Sequence, residues 1–212
     1  MERAITITSH QNPHLQISAI PGHFVTSHSH ISHYVDLTVM KHQHMMAQEA
    51  GLALAESFAY HKEIDTIVCI EGSEVIGAFL ARGLAKSDLI SVNRRKELYV
   101  ITPEFNSNMQ LIFRDNLEPM IHDKNILLLI PSITTGKAIH RTLEGMAYYG
   151  AHVQGIAAVF SAQEQVDGVE ITRLFSALDI PGYETYSYRD CPYCKAGQKI
   201  DGLANSFGIS HM

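Results

Sequence analysis

The run KNILLLI, Lys124 to Ile130, constrains this chain more than any other stretch. After its first two residues every side chain is apolar, with no alternation. Such a strand must bury both faces, as the strands of a parallel sheet do. It leads into a short turn with Thr134, Thr135 and Gly136, a helix-forming run from Gly136 to Tyr149, and a Gly150 stop. A second apolar strand, HVQGIAAVFSA, follows. The same order occurs earlier: DTIVCI (Asp65–Ile70), then EGSE, then a helical run EVIGAFLARGLA ending near Lys86, then LISVN (Leu89–Asn93). This repeated strand–turn–helix–strand grammar predicts an α/β fold with a doubly wound, mostly parallel sheet flanked by helices.

The rest of the chain hangs on that frame. Residues 1–22 read as an irregular lead-in, with Pro21–Gly22 as a turn. Val35 to Tyr60 carries Leu37, Met40, Ala47, Ala50, Leu54 and Phe58 at helical spacing and predicts one helix, with room for a short strand before it. KELYVITPEF and NMQLIFRDN flank Asn106–Asn108 and predict a β-hairpin, a small hood on the main fold. GYETYSYRDCPYC predicts one more short strand, then a polar tail. The 212 residues suit one domain, with residues 1–34 and the CxxC tail 189–212 as appendages.

Charge and composition exclude several roles. A net charge of −6 offers no broad basic field for nucleic acid or an anionic membrane. No apolar run approaches the length of a membrane span, and MERAITITSH has no apolar signal core. Three cysteines are too few for a disulfide scaffold, so a cytoplasmic setting is expected. Thirteen histidines are many, among them His23, His28, His30 and His33 in one segment and His42, His44 and His61 beyond it. Without fixed spacing to Cys or acidic partners, a polar loop and an exposed helix face are favoured over a metal site.

Ligands of open parallel sheets bind beyond the carboxyl ends of the strands. Two loops fall there: EGSE after Ile70 and PSITTG after Ile130. In the second, Ser132, Thr134, Thr135, Gly136 and Lys137 lead into a helix N-terminus. Its unpaired N–H groups, two hydroxyls, a flexible Gly and a Lys suit a phosphate dianion. Pro131 and Ala138 depart from the GxxxxGK[ST] loop, and the competing reading is a plain Thr N-cap. Cys191 and Cys194, in CPYC, make half of a zinc knuckle. Zn²⁺ would need two more ligands, from His211, from the His-rich segment or from a second subunit. A redox pair and a turn with two free thiols remain open alternatives.

The run NILLLIPSITTGKAIHRTLEGMAYYGAHVQGIAAVF resembles the signature of type I phosphoribosyltransferases, and the wider chain resembles their orotate phosphoribosyltransferase branch. HFVTSHSHISHYVDL resembles that branch's N-terminal Ser/His/Tyr segment, and DTIVCIEGSEVIGAFLARGL its pyrophosphate loop. RRKE (Arg94–Glu97) resembles its Arg-Lys-Glu strand end, and DCPYCKAGQKIDG a CxxC tail found in some members. The resemblance implies transfer of phosphoribosyl from phosphoribosyl pyrophosphate to a pyrimidine base such as orotate, in nucleotide metabolism, with Mg²⁺ bridging pyrophosphate and ribose hydroxyls. It implies that Ser132, Thr134, Thr135, Gly136 and Lys137 hold the 5′-phosphate and that Glu71, Gly72, Ser73 and Glu74 form the pyrophosphate loop. Arg95 and Lys96 would act on the pyrophosphate as the catalytic cations. The N-terminal segment would meet the base and a second subunit, hence a homodimer. The chain departs from the family where an acidic pair should stand: those positions are Ile130 and Pro131. The alternative is a protein of the same fold that binds a 5′-nucleotide or other phosphorylated ligand as a sensor or regulator without turning it over.

Overall fold

The structure, a computed structural model, describes residues 4–10, 12–86 and 91–212. The main sheet contains β4 (Thr66–Cys69), β5 (Tyr99–Ile101), β8 (Asn125–Ile133), β9 (His152–Ser161), β10 (Gln165–Val166) and β11 (Val169–Ser176). Their order is β10-β11-β9-β8-β4-β5, parallel except for the β10 edge. Alternate residues of each central strand serve different cores. Ile67, Cys69, Leu127, Leu129, Ala157 and Val159 join one cluster. Val68, Ile70, Ile126, Leu128, Ile130, Ile156 and Ala158 join the other. This is why the β8 sequence shows no alternation.

The first core is closed by α2 (His44–Phe58) and α3 (Glu74–Leu84). α2 buries Ala47, Ala50, Gly51, Leu54 and Phe58, and α3 buries Ile76, Leu80 and Leu84. These are spacings of three, four and seven, one face of a helix. Gly51 lets the two helices touch, since a Cβ there would lie 2.7 Å from the Ile76 carbonyl oxygen. The second core is closed by α4 (Lys137–Tyr148), through Ile139, Thr142 and Met146. A small hairpin, β6 (Glu104–Phe105) with β7 (Leu111–Ile112), also packs there through Leu111.

Several expectations change. The stretch Val35–Tyr60 is not one helix: α1 (Thr38–His42) and α2 are separated at Gln43, whose backbone is extended at φ −90° and ψ 118°. Ahead of them lies a full strand, β3 (His30–Asp36). Residues 1–22 are not irregular. β1 (Ile5–Thr8) pairs with the first half of β2 (Gln16–Val25), and Pro21–Gly22 is a bulge inside β2 rather than a turn. Of the hairpin expected from KELYVITPEF and NMQLIFRDN, residues 96–116, only β6–β7 pairs that way; β5 adds to the main sheet beside β4. The strand expected at Leu89–Asn93 lies partly outside the described residues, and Ser91–Asn93 is irregular.

The two expected appendages come together. β12 (Thr185–Tyr186), a short helix α5 (Pro192–Lys195), and the hairpin of β13 (Gly202–Asn205) and β14 (Gly208–His211) follow the main sheet. β12 pairs with β3 and β13 pairs parallel to β2, which builds a second, six-stranded sheet with the order β12-β3-β2-β13-β14 and β1 alongside β2.

Candidate functional site

A cavity of about 390 Å³ opens where the second sheet faces the carboxyl edge of the first. That volume suits a small phosphorylated ligand. Its floor is the end of β4 (Ile70, Glu71) and the end of β8 with the loop beyond (Ile130 to Gly136). One wall is the N-terminus of α4. The opposite wall combines Tyr34, Thr38, Lys41 and His42 with the β13–β14 turn, Asn205 to Gly208. The β2–β3 turn, Thr26 to His28, and Met109 at the tip of the hairpin complete the rim.

Ser132, Thr134, Thr135, Gly136 and Lys137 all line this cavity. The cap of α4 is Gly136, at φ +75°, and no side chain bonds the first-turn amides. The N–H groups of Lys137, Ala138 and Ile139 therefore have no partner within the helix, and they form the positive end of its dipole. A Cβ at Gly136 would lie 2.6 Å from Val166 Cγ2, so the left-handed turn both needs and permits glycine. The carbonyl of Thr134 is held by Gln163 Nε2 at 3.0 Å.

A second helix N-terminus stands beside it. After β4, Glu71 (φ 59°) and Gly72 (φ 74°) turn the chain through two left-handed residues into α3. Ser73 is buried and donates to the carbonyls of Ile70 and Leu129 at 2.9 and 3.2 Å, which locks this loop to β8. Its hydroxyl is therefore committed to the scaffold. Glu71 lines the cavity, whereas Glu74 turns away and accepts from Thr102 Oγ1 at 2.9 Å.

Lys41 is the residue that sequence reasoning missed. It is 4% exposed, on a helix of five residues, and a Cβ at Gly72 would sit 3.4 Å from its Nζ. Burial lowers its pKa, and the charges of Glu71 and Glu74 work against that fall. Burial raises the Glu71 pKa, partly offset by Lys41. The one available local signal was a lysine directly after Val39 and Met40, four residues past Leu37.

Arg95 and Lys96 do not join the cavity. Lys96 Nζ lies 2.6 Å from Asp65 Oδ1 and 2.9 Å from Glu63 Oε1, at the amino end of β4. The cavity is at the carboxyl end, and the four residues of β4 alone put about 13 Å between the two. Arg95 takes φ 55° in the turn that delivers Lys96 there.

The residues lining the cavity offer Mg²⁺ few donors of their own. Mg²⁺ needs oxygen donors, usually one or two carboxylates besides those of a bound phosphate. Glu71 is the sole carboxylate lining the cavity among the described residues, and it is beside an ammonium. Ile130, 5% exposed, packs with the α4 core instead of presenting an oxygen. Pro131 follows the point where β4 has ended, so its missing N–H leaves no ladder bond unmade there. No helix among the described residues is long and apolar enough to cross a membrane.

No family model matches the chain. It is 30% identical to the orotate phosphoribosyltransferase of Wolinella succinogenes over 193 residues, which cover 85% of this chain and 88% of that one. Among solved structures it is similar to a phosphoribosyltransferase from Corynebacterium diphtheriae (TM-score 0.51, 18% identity, 76% of this chain and 89% of that one). It is equally similar to the Mycobacterium tuberculosis H37Rv orotate phosphoribosyltransferase in complex with Fe(III) dicitrate (TM-score 0.51, 15%, 77% and 91%). An adenine phosphoribosyltransferase from Thermoanaerobacter pseudethanolicus matches at TM-score 0.51 and 14% identity, over 68% and 88%. The parallel sheet with two helix N-termini at its carboxyl edge, together with the identity and coverage shared with the Wolinella protein, settles the family: the chain belongs to the type I phosphoribosyltransferases, on their orotate phosphoribosyltransferase-like branch.

Proposed function

We propose that this protein transfers phosphoribosyl between phosphoribosyl pyrophosphate and a pyrimidine base, orotate being the first candidate. One observation carries the reading: an uncapped α4 N-terminus, entered through a left-handed Gly136, faces a cavity that also contains Lys41 and Lys137. The 5′-phosphate would sit on the amides of Lys137 to Ile139 and the hydroxyls of Thr134 and Thr135. The pyrophosphate would lie toward Glu71, Gly72 and Lys41. The apolar side of the cavity, Ile31, Tyr34, Ile130 and Tyr183, would take the base.

In the forward step a base nitrogen, having released its proton to solvent, bonds to ribose C1′. The C1′–oxygen bond breaks, and its electron pair leaves with pyrophosphate. The protein's share is alignment and stabilisation of charge on the leaving group. The orotate branch is supported by the Wolinella relative. A homodimer and a cytoplasmic setting belong to the same proposal.

Ile130 and Pro131 favour a second reading, in which a 5′-nucleotide is bound and not turned over. A diol that loses two acceptors loses about 1 to 3 kcal/mol at each. The test is pyrophosphate release with phosphoribosyl pyrophosphate, Mg²⁺ and either orotate or adenine, run beside calorimetric titration with a 5′-nucleotide. Turnover with orotate supports transfer to a pyrimidine. Turnover with adenine alone overturns the base assignment, and binding without turnover leaves the second reading.

A further inference from the structure

We propose that the chain carries a structural zinc site formed by His23, His30, Cys191 and Cys194. The missing half of the CPYC knuckle comes from the His-rich N-terminal segment, more than 160 residues away in sequence. One ligand atom from each of the four residues lies within 4.8 Å of all the others. Cys191 Sγ and Cys194 Sγ are 3.5 and 3.6 Å from His23 Nε2, and Cys194 Sγ is 3.4 Å from His30 Nδ1. Zinc bonds of about 2.0 Å to nitrogen and about 2.3 Å to sulfur place tetrahedral ligands about 3.3 to 3.8 Å apart, which these separations match. The fourth, His23 Nε2 to His30 Nδ1, is 2.9 Å and would open slightly around an ion.

The surroundings of His23 give an independent sign. Its ring is buried, and Nδ1 faces two carbonyl oxygens, those of Gln198 and Lys199, each at 3.2 Å. A carbonyl can only accept, so Nδ1 carries the proton and Nε2 presents its lone pair to the two thiols and His30. A carbonyl bonded to the far nitrogen is the usual way a metal-ligating imidazole is oriented. The His23 backbone is also fixed from both sides. Its N–H donates to Asp201 Oδ2 at 2.7 Å, and its carbonyl accepts from the Asp201 N–H at 2.8 Å. Opposite, the chain turns tightly through α5 and Gly197, at φ +69°, which directs both thiols to one side. Two thiolates neutralise a Zn²⁺ ion, so the closed cluster would bury no net charge.

Neither competing reading accounts for this convergence. A redox pair or a turn with free thiols needs no imidazoles, least of all a buried one oriented by two carbonyls. The site clamps β2 and β3 to α5, directly before β13. Zinc would thereby hold in place the β13–β14 turn that walls the cavity. The ion takes no part in the transfer reaction, and the proposal does not depend on it.

The untagged full-length protein, expressed with zinc in the medium and dialysed, should contain about one zinc per chain by elemental analysis. Zinc far below one equivalent overturns the proposal, as does a Cys191–Cys194 disulfide in the reduced-purified protein. Cobalt exchanged into the same protein should give sulfur-to-cobalt charge transfer and the intense visible bands of a tetrahedral ion; a weak octahedral spectrum overturns it. Because Cys194→Ser risks misfolding, His30→Cys is the second variant. It should keep the metal and shift the cobalt bands toward a three-sulfur set. Metal retained at one equivalent by a Cys191→Ser, Cys194→Ser double variant would show adventitious histidine binding and overturn the site.

Discussion

Lys41 Nζ donates a 2.7 Å hydrogen bond to the carbonyl oxygen of Ser206, 165 residues further along the chain. This bond lies within one wall of the cavity. It joins the short helix α1 to the β13–β14 turn and sets a buried ammonium beside Glu71 and Gly72. Lys41→Met keeps the apolar stem and removes the charge. A hydrogen bond to a charged group contributes about 1.5 to 3 kcal/mol, so phosphoribosyl pyrophosphate should bind at least about tenfold more weakly by calorimetry. Unchanged affinity would remove Lys41 from the site.

Gly136 tests the phosphate cradle. An alanine there meets Val166 Cγ2 at 2.6 Å and must hold φ +75°. The left-handed backbone alone costs about 1 to 2 kcal/mol for a non-glycine residue. Gly136→Ala should therefore lower the melting temperature and weaken inorganic phosphate binding. Adding Val166→Ala should return the part due to the clash and leave the backbone part. Full recovery in the double variant would show that glycine is needed here for space alone.

Thr135→Val should cut phosphate affinity by at least about tenfold, since a hydrogen bond to a charged group contributes about 1.5 to 3 kcal/mol, with the melting temperature unchanged. Titration with inorganic phosphate measures this. Equal binding by variant and parent would limit the cradle to backbone amides.

Asp65 makes the acid limb of stability predictable. Burial works against its ionisation, but the Lys96 ammonium and the Asn125 amide, at 2.8 Å, outweigh that and hold its pKa below the ordinary carboxylate value. With the folded pKa depressed, the unfolded chain binds the proton more readily. The contribution is complete above the unfolded value of about 3.9 and is lost as pH falls through the folded pKa. Asp65→Asn should flatten urea-unfolding stability between about pH 5 and pH 2. A parent-like slope would show the pair to be unimportant.

The Cys69 thiol should be inert. Burial pushes its pKa up to about 12, offset only in part by the neighbouring Ser73 hydroxyl. In the native protein at pH 8, Cys69 should resist alkylation and react only after unfolding, as peptide mass analysis would show. Fast native labelling would mean that β4 opens readily.

The loop between β8 and α4 was legible because its signals are local. An apolar strand, two threonines, a glycine and a helix fall within about fifteen residues, and each acts on its neighbours. β2 was not legible, since Pro21–Gly22 reads as a turn while the structure uses it as a bulge closed against Asp201. Lys96 was misplaced for a related reason. A basic residue at a strand end has two carboxylates within reach, Glu63 and Asp65, and their positions are set by the far end of β4.

By itself the sequence determined the parallel sheet, the helices that follow its strands and the loop at Thr134–Lys137 that leads into α4, because periodicity and helix-end chemistry are properties of contiguous residues. It also determined that no acid stands at 130 or 131. Tertiary structure alone decided that Lys41 meets Ser206, that both ends of the chain form one sheet, and that His23 and His30 meet Cys191 and Cys194. Those contacts join residues more than 150 positions apart, and a chain pays the entropy of closing such loops only when many other contacts form with them.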